Sequence, residues 1–595
     1  MPGIEEWLSN PLLIVDQKLD ENHEIFEKKV REYFEEKVKR NGIHKVQSLN
    51  DKPLDEIIPN TLVRFRCMIQ DMFEPEYYLA RYETVNTLDG TKAMHLGYYR
   101  DVILQKPNHE ANFNSPENLT KSRKCFYCVP IPGETTWAKR AYAKSSCNAK
   151  MYFNDSKSSG SMKRDIDEME EDFFLHGAMS SSENKKSKTE STNSGNIDNH
   201  QFEHNHPLPN EKGPVCLVKV YGQSEMVRLN DVVEFVGVLT VDPELTRFPN
   251  QSSSSASTSD IINPVMNIDD DNPHLLPSSL VPRLHAIIGY KRQHSNPCLP
   301  FALSDLEQRL SEAAQVRERL LNTFKDMLCG DRLAAEYLLL HLISTIYCRA
   351  DVLAIGKYTL NLWGCPEDTA RELYKFIELF LTKCSKFPLS IENLDNSKLV
   401  PKKDYKSNRL MTGKLQLSNN THLIIDETVL EEGRLNENGT ANLNVINHVI
   451  LWQKLPYDFV FYKTDFLTNL NILILSEGKS LLEVDSSIRL NVEYPSPPFE
   501  EFITTLDENF ITCVRKFIGL AQLINHEITE DVQKYLQNDF VEMRQRRPQE
   551  MTSERFHSLL TLARLVAISC GRKNITVEDW SRTKHLEELR IKSIS

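Results

Sequence analysis

Thr421 to Glu427 reads THLIIDE, an apolar strand ending in two carboxylates, and no other stretch of the chain is better suited to chemistry. In a nucleotide-hydrolysing α/β domain such a pair stands at the Walker B position. The first acid, here Asp426, would hold the magnesium shell and the second, Glu427, would polarise water. Apolar residues followed by two acids also describe a strand that runs into a solvated acidic turn, so the pair acquires meaning only beside a phosphate loop. Such a loop turns backbone amides toward the phosphates and supplies a Lys-Ser/Thr pair for the γ-phosphate and the metal. Gly356-Lys357, Gly413-Lys414 and Gly478-Lys479 all fail the pattern, because none has a glycine five residues before the pair. Only the third is followed by a serine, Ser480, and Leu473 occupies its earlier glycine position. Cys125 and Cys128 form a lone C-x-x-C with no second pair at ligand spacing, which reads as two strand residues rather than a zinc site. Phe65, Phe126, Tyr127 and Phe235 have the choice of stacking nucleic-acid bases or filling a core, and core packing is the expectation. Lys402, Lys403 and Lys406 read as a solvated face.

The elements that must position these residues follow from pattern. With 595 residues the chain exceeds what one hydrophobic core serves, and 40% hydrophobic residues are enough to build several. Its net charge of -13 is the wrong sign for coating phosphate backbones. Twelve cysteines without a basic-apolar leader in MPGIEEWLSN read as reduced thiols of the cytosol or nucleus. The most apolar helical stretch, Leu333 to Tyr347, is interrupted by Glu336 and His341, so no membrane span is expected.

Leu62 to Gln70, Tyr98 to Leu104, Phe126 to Ile131, Val215 to Tyr221 and Asp231 to Val241 carry strand patterns, with Pro130 suggesting an edge and Gly237 a bulge or bend. Five such strands fit a small barrel of the OB type. Between them Asn154 to His200 is too polar to offset its ordering entropy and reads as a disordered insertion. Lys163 and Arg164 followed by Lys185, Lys186 and Lys188 give it the spacing of a split nuclear-import signal. Pro249 to Ser279 reads as a linker.

From Leu280 helices alternate with short buried strands. Leu306 to Leu328 and Asp331 to Tyr347 are helical, while Tyr358 to Trp363, His422 to Ile425 and Asn471 to Leu475 are strands of an α/β sheet. Asn538 to Arg590 reads as three helices, with Thr576 capping the last and Asp579 completing a box.

The order of these pieces resembles the mini-chromosome maintenance (MCM) replicative helicase subunits. Gly330 to Leu342 is similar to the helix that opens their ATPase domain. Tyr358 to Pro366 (YTLNLWGCP) is similar to the strand leading into their phosphate loop, and Gly413 to Glu427 (GKLQLSNNTHLIIDE) to their Walker B stretch. Asn444 to Tyr462 with Asn471 to Ser476 resembles the helix, hairpin and sensor strand. Met551 to Arg590 resembles the helical lid, and Leu229 to Leu245 the last strands of the OB domain.

Against that pattern the loop reads GCPEDTAREL, so Gly364 and Pro366 remain while Ala370 and Arg371, or Arg371 and Glu372 with the loop slipped by one, stand where Lys and Ser/Thr belong. Glu367 and Asp368 would face an anionic ligand, and like charges about 4 Å apart at an effective dielectric of about 20 repel by roughly 4 kcal/mol. Glu554 occupies the place of the lid's sensor arginine, with Arg555 adjacent.

Outside its insertion and linker the chain resembles the MCM-binding protein family, through WLSNPL, FRCMIQDMFEPEYY, FYCVPIPGETTW, EKGPVCLVKVY, SLVPRLHAIIGYKRQHSNPCLP and GDRLAAEYLLLHLISTIY. The resemblance implies a multidomain architecture. It comprises an N-terminal helical region over 1–58, an OB-like barrel over 59–248 interrupted by the insertion 154–200, a linker over 249–279, a degenerate AAA+-like α/β domain over 280–498 and a helical lid over 499–595. It also implies a nuclear, non-enzymatic partner of MCM helicase subunits that needs no cofactor or metal and has no catalytic residue, with Asp426 and Glu427 vestigial. Such a protein would remodel or remove helicase complexes, associate with chromatin indirectly, and support DNA replication and sister-chromatid cohesion. A working AAA+-type ATPase and a single-stranded DNA-binding OB protein are the competing readings.

Overall fold

The computed structural model describes residues 6–17, 23–101, 107–144, 204–209, 211, 213–222, 227–240, 281–300, 303–350, 353–525, 527–546, 548–549 and 551–594. The insertion 154–200 with its basic clusters and the linker 249–279 lie outside the described residues. The architecture is mixed α/β with several sheets.

The chain opens with helices α1 (Glu6–Ser9), α2 (Pro11–Gln17) and α3 (His23–Asn41). Phe26, Val30, Phe34 and Val38 recur every four residues, so α3 presents one apolar stripe. That stripe is buried with Tyr98, Tyr99, Val236 and Ile287 against the first sheet.

In that sheet β1 (Gln47–Ser48) flanks β2 (Leu62–Met72), and β3 (Glu76–Asn86) pairs with β4 (Lys92–Leu96) and β5 (His109–Ala111). The remaining strands are β6 (Leu119–Val129), β7 (Cys216–Tyr221), β8 (Val232–Thr240) and β9 (Arg283–Lys291). Strands β2, β8, β9, β7 and β6 follow one another and β6 pairs back onto β2, closing a ring. Within it β7 and β9 run parallel and the other pairs antiparallel.

Three expectations change here. Strand β9 begins beyond residue 280, yet its hydrogen bonds go to β7 and β8, so the first unit extends past the expected linker. Strand β6 is bonded on both sides, and Pro130 ends it rather than marking an edge, because a residue without an N–H cannot extend the ladder. Tyr98 and Tyr99 form no strand, and residues 102–106 lie outside the described set. Gly237 does sit at a register shift. A Cβ there would lie 2.1 Å from the His285 carbonyl oxygen, so only glycine lets β8 and β9 approach so closely.

A buried ionic network ties β6, β7 and β9 together. Arg123 and Lys219 each approach Glu76 and Asp101, and His285 Nε2 lies 3.1 Å from Asp101. Burial pushes the Glu76 carboxyl up, but Lys219 and Arg123 outweigh it and hold it at about 2. A carboxyl depressed by folding contributes stability above its unfolded value of 4.5 and loses it as pH falls toward 2. Urea midpoints measured between about pH 6 and pH 2 should therefore fall steeply below about pH 4.5, and Glu76→Gln should flatten that limb.

In the second unit the short antiparallel pair β10 (Cys348–Ala350) and β11 (Leu353–Ile355) precedes β12 (Leu360–Trp363), β13 (Cys384–Pro388), β16 (Thr421–Asp426), β19 (Leu470–Ser476) and β20 (Ser486–Arg489), which form a parallel sheet in the order β13-β16-β19-β12-β20. Side chains alternate across it. Ile424, Leu473 and Leu475 enter a core with helices α4 (Leu306–Ala313), α5 (Arg317–Met327), α6 (Arg332–Leu342) and α7 (Glu367–Glu378). Leu423, Ile425, Ile472 and Ile474 enter another with α8 (Ile391–Asn396) and α9 (Glu437–Trp452). Two hairpins, β14 (Lys402–Asp404) with β15 (Arg409–Met411) and β17 (Lys454–Asp458) with β18 (Lys463–Leu467), extend beside it.

After α10 (Phe499–Ile503) come α11 (Glu508–Ala521), α12 (Glu530–Arg546), α13 (Ser553–Ser569) and α14 (Val577–Ile594). Phe510, Val514 and Phe517 of α11 belong to the α/β core, whereas Leu536, Leu559 and Trp580 form a separate core of the last three helices. The expected box is present: the Asp579 amide donates to Thr576 Oγ1 at 3.2 Å and the Thr576 amide to Asp579 Oδ2 at 3.0 Å. Among the described residues no helix is long and apolar enough to cross a membrane.

Candidate functional site

The sheet brings the phosphate-loop-like residues and the acid pair to one place, its carboxyl end. There the Glu427 amide donates to Leu475 O at 2.8 Å and the Cys365 amide to Ser476 O at 3.0 Å. Gly364 adopts φ 74, the left-handed conformation that glycine enters without strain, and its amide donates to Glu477 O at 3.0 Å. Two amides that would cradle phosphate are thus spent on carbonyls at the end of the strand that closes with Ser476.

The loop is also short. Strand β12 ends at Trp363 and α7 begins at Glu367, leaving only Gly364, Cys365 and Pro366 between them. Ala370 therefore stands a turn into the helix, fully buried in the core, where no side chain could reach a phosphate. Arg371 is exposed and bonded to acids of its own helix, Asp368 at 2.6 Å and Glu367 at 3.7 Å. Those two acids suit the positive end of α7 and present negative charge where an anion would approach.

Asp426 is buried at 1% exposure and its oxygens are committed. Oδ1 accepts from the Thr428 amide at 3.1 Å and hydroxyl at 2.6 Å, and Oδ2 lies 2.7 Å from Lys386 Nζ. Glu427 accepts from Ser480 at 2.7 Å, and burial raises its carboxyl above the usual range. Ser480, read in the sequence as part of a failed Gly-Lys-Ser pattern, thus holds the second acid. Lys386 was not legible as a partner, because only the register that sets Ile424 beside Lys386 brings its amine near Asp426. Among the described residues no group of three or more His, Cys, Asp or Glu is arranged to hold a metal. Asp426→Asn should act on stability, since it removes the charge facing Lys386 while keeping the acceptor for Thr428. The expected loss is about 1.5–3 kcal/mol in chemical denaturation.

The other sequence candidates resolve into packing. Residues three apart on a strand face opposite sides, so Cys125 joins one cluster and Cys128 another, and burial pushes both thiols up, Cys125 to about 12. Phe65, Phe126, Tyr127 and Phe235 are all buried. Lys402 and Lys406 are exposed, and Lys403 donates to Asn408 O at 2.7 Å. Glu554 is exposed in the first turn of α13, whose Thr552 cap accepts from the Arg555 amide at 3.2 Å.

The segment FYCVPIPGETTW proves to be the joint between the barrel and the α/β unit. Glu134 takes both guanidinium nitrogens of Arg66, while Thr135 Oγ1 and Trp137 Nε1 each donate to Leu381 O at 2.8 Å. The Cys384 amide donates to Gly133 O at 2.8 Å. A second set of contacts, Gln70 to Leu410 O and Gln416 to Gln70 O, each 2.9 Å, joins β2 to the β14–β15 hairpin.

Comparison with known proteins bears on the whole of this architecture. A family described as mini-chromosome maintenance replisome factor matches residues 34–594. The chain is similar to the mini-chromosome maintenance complex-binding proteins of Rattus norvegicus, 41% identical over 99% of the chain and 98% of the relative, and of Homo sapiens, 40% identical over the same shares. The likeness to the Drosophila melanogaster protein of that name is 32% over 92% of both chains. The chain belongs to the mini-chromosome maintenance replisome factor family.

Proposed function

We propose that this chain is a non-catalytic binding factor of the MCM helicase complex. The observation that carries the binding is likeness over nearly the full chain to proteins named for it. Support for the absence of catalysis comes from the three-residue loop, whose amides bond Glu477 and Ser476, and from the buried Ala370 where a phosphate-binding lysine would stand.

The finer reading is mimicry of a helicase subunit. A closed barrel with one parallel strand pair suits an OB fold, and the strand order of the second sheet, with its acid pair and loop at the carboxyl end, suits a degenerate AAA+ domain. A chain of that shape competes for the surface between neighbouring subunits, which remodels the complex or removes it from chromatin and thereby supports replication and sister-chromatid cohesion. It acts in the nucleus and reaches chromatin through its partners, in keeping with the net charge of -13 and the buried barrel aromatics.

Purified chain mixed with purified MCM subunits should co-elute on size exclusion without added nucleotide, and cross-links should map to subunit interfaces. Separate elution at micromolar concentrations would end the proposal. Binding and hydrolysis of ATP by the chain alone would favour the ATPase reading, and a salt-sensitive shift of single-stranded DNA the nucleic-acid reading.

A further inference from the structure

A cavity of about 380 Å³ lies between the barrel and the opposite, amino end of the parallel sheet. One wall is residues 291–296, which run on from β9, and the other is residues 380–383, 419–420 and 469, which lead into β13, β16 and β19. Across the six residues of β16, about 20 Å separate it from the phosphate-loop-like end. It is therefore a different site from the one described above.

Its chemistry is that of cations without a carboxylate ion pair among the described residues. Lys383 is 4% exposed, and its amine meets only neutral oxygens, Ser418 Oγ at 3.0 Å and Asn419 O. Arg515 lies with its guanidinium 3.8 Å from the Trp137 ring and gives Nε to Leu379 O at 2.9 Å. Neither forms an ion pair with a carboxylate among the described residues, and the one carboxylate among the described lining residues, Asp231, is held by Lys291 at 2.7 Å.

His422 adds a neutral donor. Asn471 Nδ2 and Gln522 Nε2, each at 3.2 Å, both donate to its Nε2, so the ring carries its proton on Nδ1, which is buried with no partner. Behind the wall, the Tyr347 ring carries the Arg564 guanidinium at 4.1 Å, and Arg564 is 1% exposed with all three of its nitrogens unpartnered. Burial lowers Lys383 to about 8 and Arg515 and Arg564 to about 10, because the desolvation of these cations outweighs the pull of Glu134 on Lys383 and of Glu508 on Arg515. Desolvated cations and a spare buried N–H are costly in isolation, and an anion between them repays that cost.

We propose that this cleft is a binding site for a small oxyanion, a phosphate or carboxylate compound seated between Lys383, Arg515 and His422. Because its walls come from both units, occupancy ties the barrel to the α/β unit. The site needs no catalysis and stands independently of the helicase-binding reading.

The test is calorimetric titration of the full chain, free of divalent metal and at fixed ionic strength, with pyrophosphate in one arm and citrate in the other. Saturable binding of at least one is expected, accompanied by a raised melting temperature, and the arm that binds assigns the ligand as phosphate or carboxylate. Arg515→Gln, at a half-buried position the fold should tolerate, and Lys383→Met should each weaken binding at least tenfold. Arg371→Ala, at the far end of the sheet, should leave it unchanged. Absence of saturable binding in both arms would overturn the site. So would affinity that is indifferent to Arg515→Gln and Lys383→Met, or affinity that is lost on Arg371→Ala.

Discussion

Glu134→Ala is expected to cost the fold about 3–5 kcal/mol, because it strands the Arg66 guanidinium, 7% exposed, in a dry joint. In the intact protein Arg66 Nη2 donates to Glu134 Oε2 at 2.9 Å, Nη1 makes the shorter bond to Oε1, and the Tyr142 ring covers the guanidinium at 3.8 Å. Removing the carboxylate leaves the charge with the ring and no acceptor for either nitrogen. The loss is large against the 5–15 kcal/mol that typically separates a folded domain from its unfolded chain. Two controls separate charge from packing. Glu134→Gln keeps an acceptor and should lose less. The double variant Arg66→Met with Glu134→Met removes both charges and should be more stable than Glu134→Ala. Guanidinium denaturation followed by tryptophan fluorescence reads all three, since Trp137 lies in the same segment and bonds Leu381 across the joint. A loss below about 1 kcal/mol for Glu134→Ala would mean that the pair is solvated in solution.

Asp101→Ala should be of similar size, about 3–5 kcal/mol, for a different reason: one carboxylate serves three cationic or polar groups. It lies 2.5 Å from Arg123, 2.8 Å from Lys219 and 3.1 Å from His285. Burial alone would raise its carboxyl, but Lys219, His285 and Arg123 together hold it well below the usual carboxylate range. Without it Arg123 and Lys219 keep the Glu76 carboxylate, and His285 keeps Tyr221 at 2.6 Å and the Thr240 hydroxyl at 3.1 Å but loses its carboxylate partner. The barrel strands β6, β7 and β9 are joined through these side chains, so loss of the carboxylate should loosen the closed ring before the α/β unit. Hydrogen exchange should reveal that order, with amides of β7 and β9 exchanging faster in the variant while those of β16 and β19 keep their protection. Uniform acceleration across both units would contradict it.

Much of the framework was legible in the sequence because it rests on local pattern. Alternation located β2, apolar strand patterns located β7, β8, β12, β16 and β19, and the Thr576–Asp579 box marked the start of the last helix. Strand β9 was missed as a barrel strand because the signal that assigns it is its pairing with β7 and β8, and the chain reaches it only after a linker-like stretch. The helical spacing from Asp331 to Tyr347 overran the helix, which ends at Leu342, since apolar residues continue into the buried turn that follows.

Site residues divided in the same way. Asp426 and Glu427 could be found from seven consecutive residues, whereas Lys386, which neutralises Asp426, lies forty positions earlier on the adjacent strand. The role of FYCVPIPGETTW as a joint depends on Leu381 and Cys384, and the proposed oxyanion cleft on residues spread from 230 to 525. Such assemblies leave no periodic trace, because their members meet only once the two units have docked.

The central claim is association with the MCM complex without nucleotide turnover, and one measurement bears on it most directly. Purified MCM complex is titrated into the labelled wild-type chain and into the double variant Asp426→Asn with Glu427→Gln, each with and without ATP, after both chains are checked to be folded. The affinities should agree within about twofold across the four titrations, less than 0.5 kcal/mol, because acids locked to Lys386, Thr428 and Ser480 take no part in binding. Binding that requires ATP and collapses in the double variant, with hydrolysis by the wild-type chain, would contradict it.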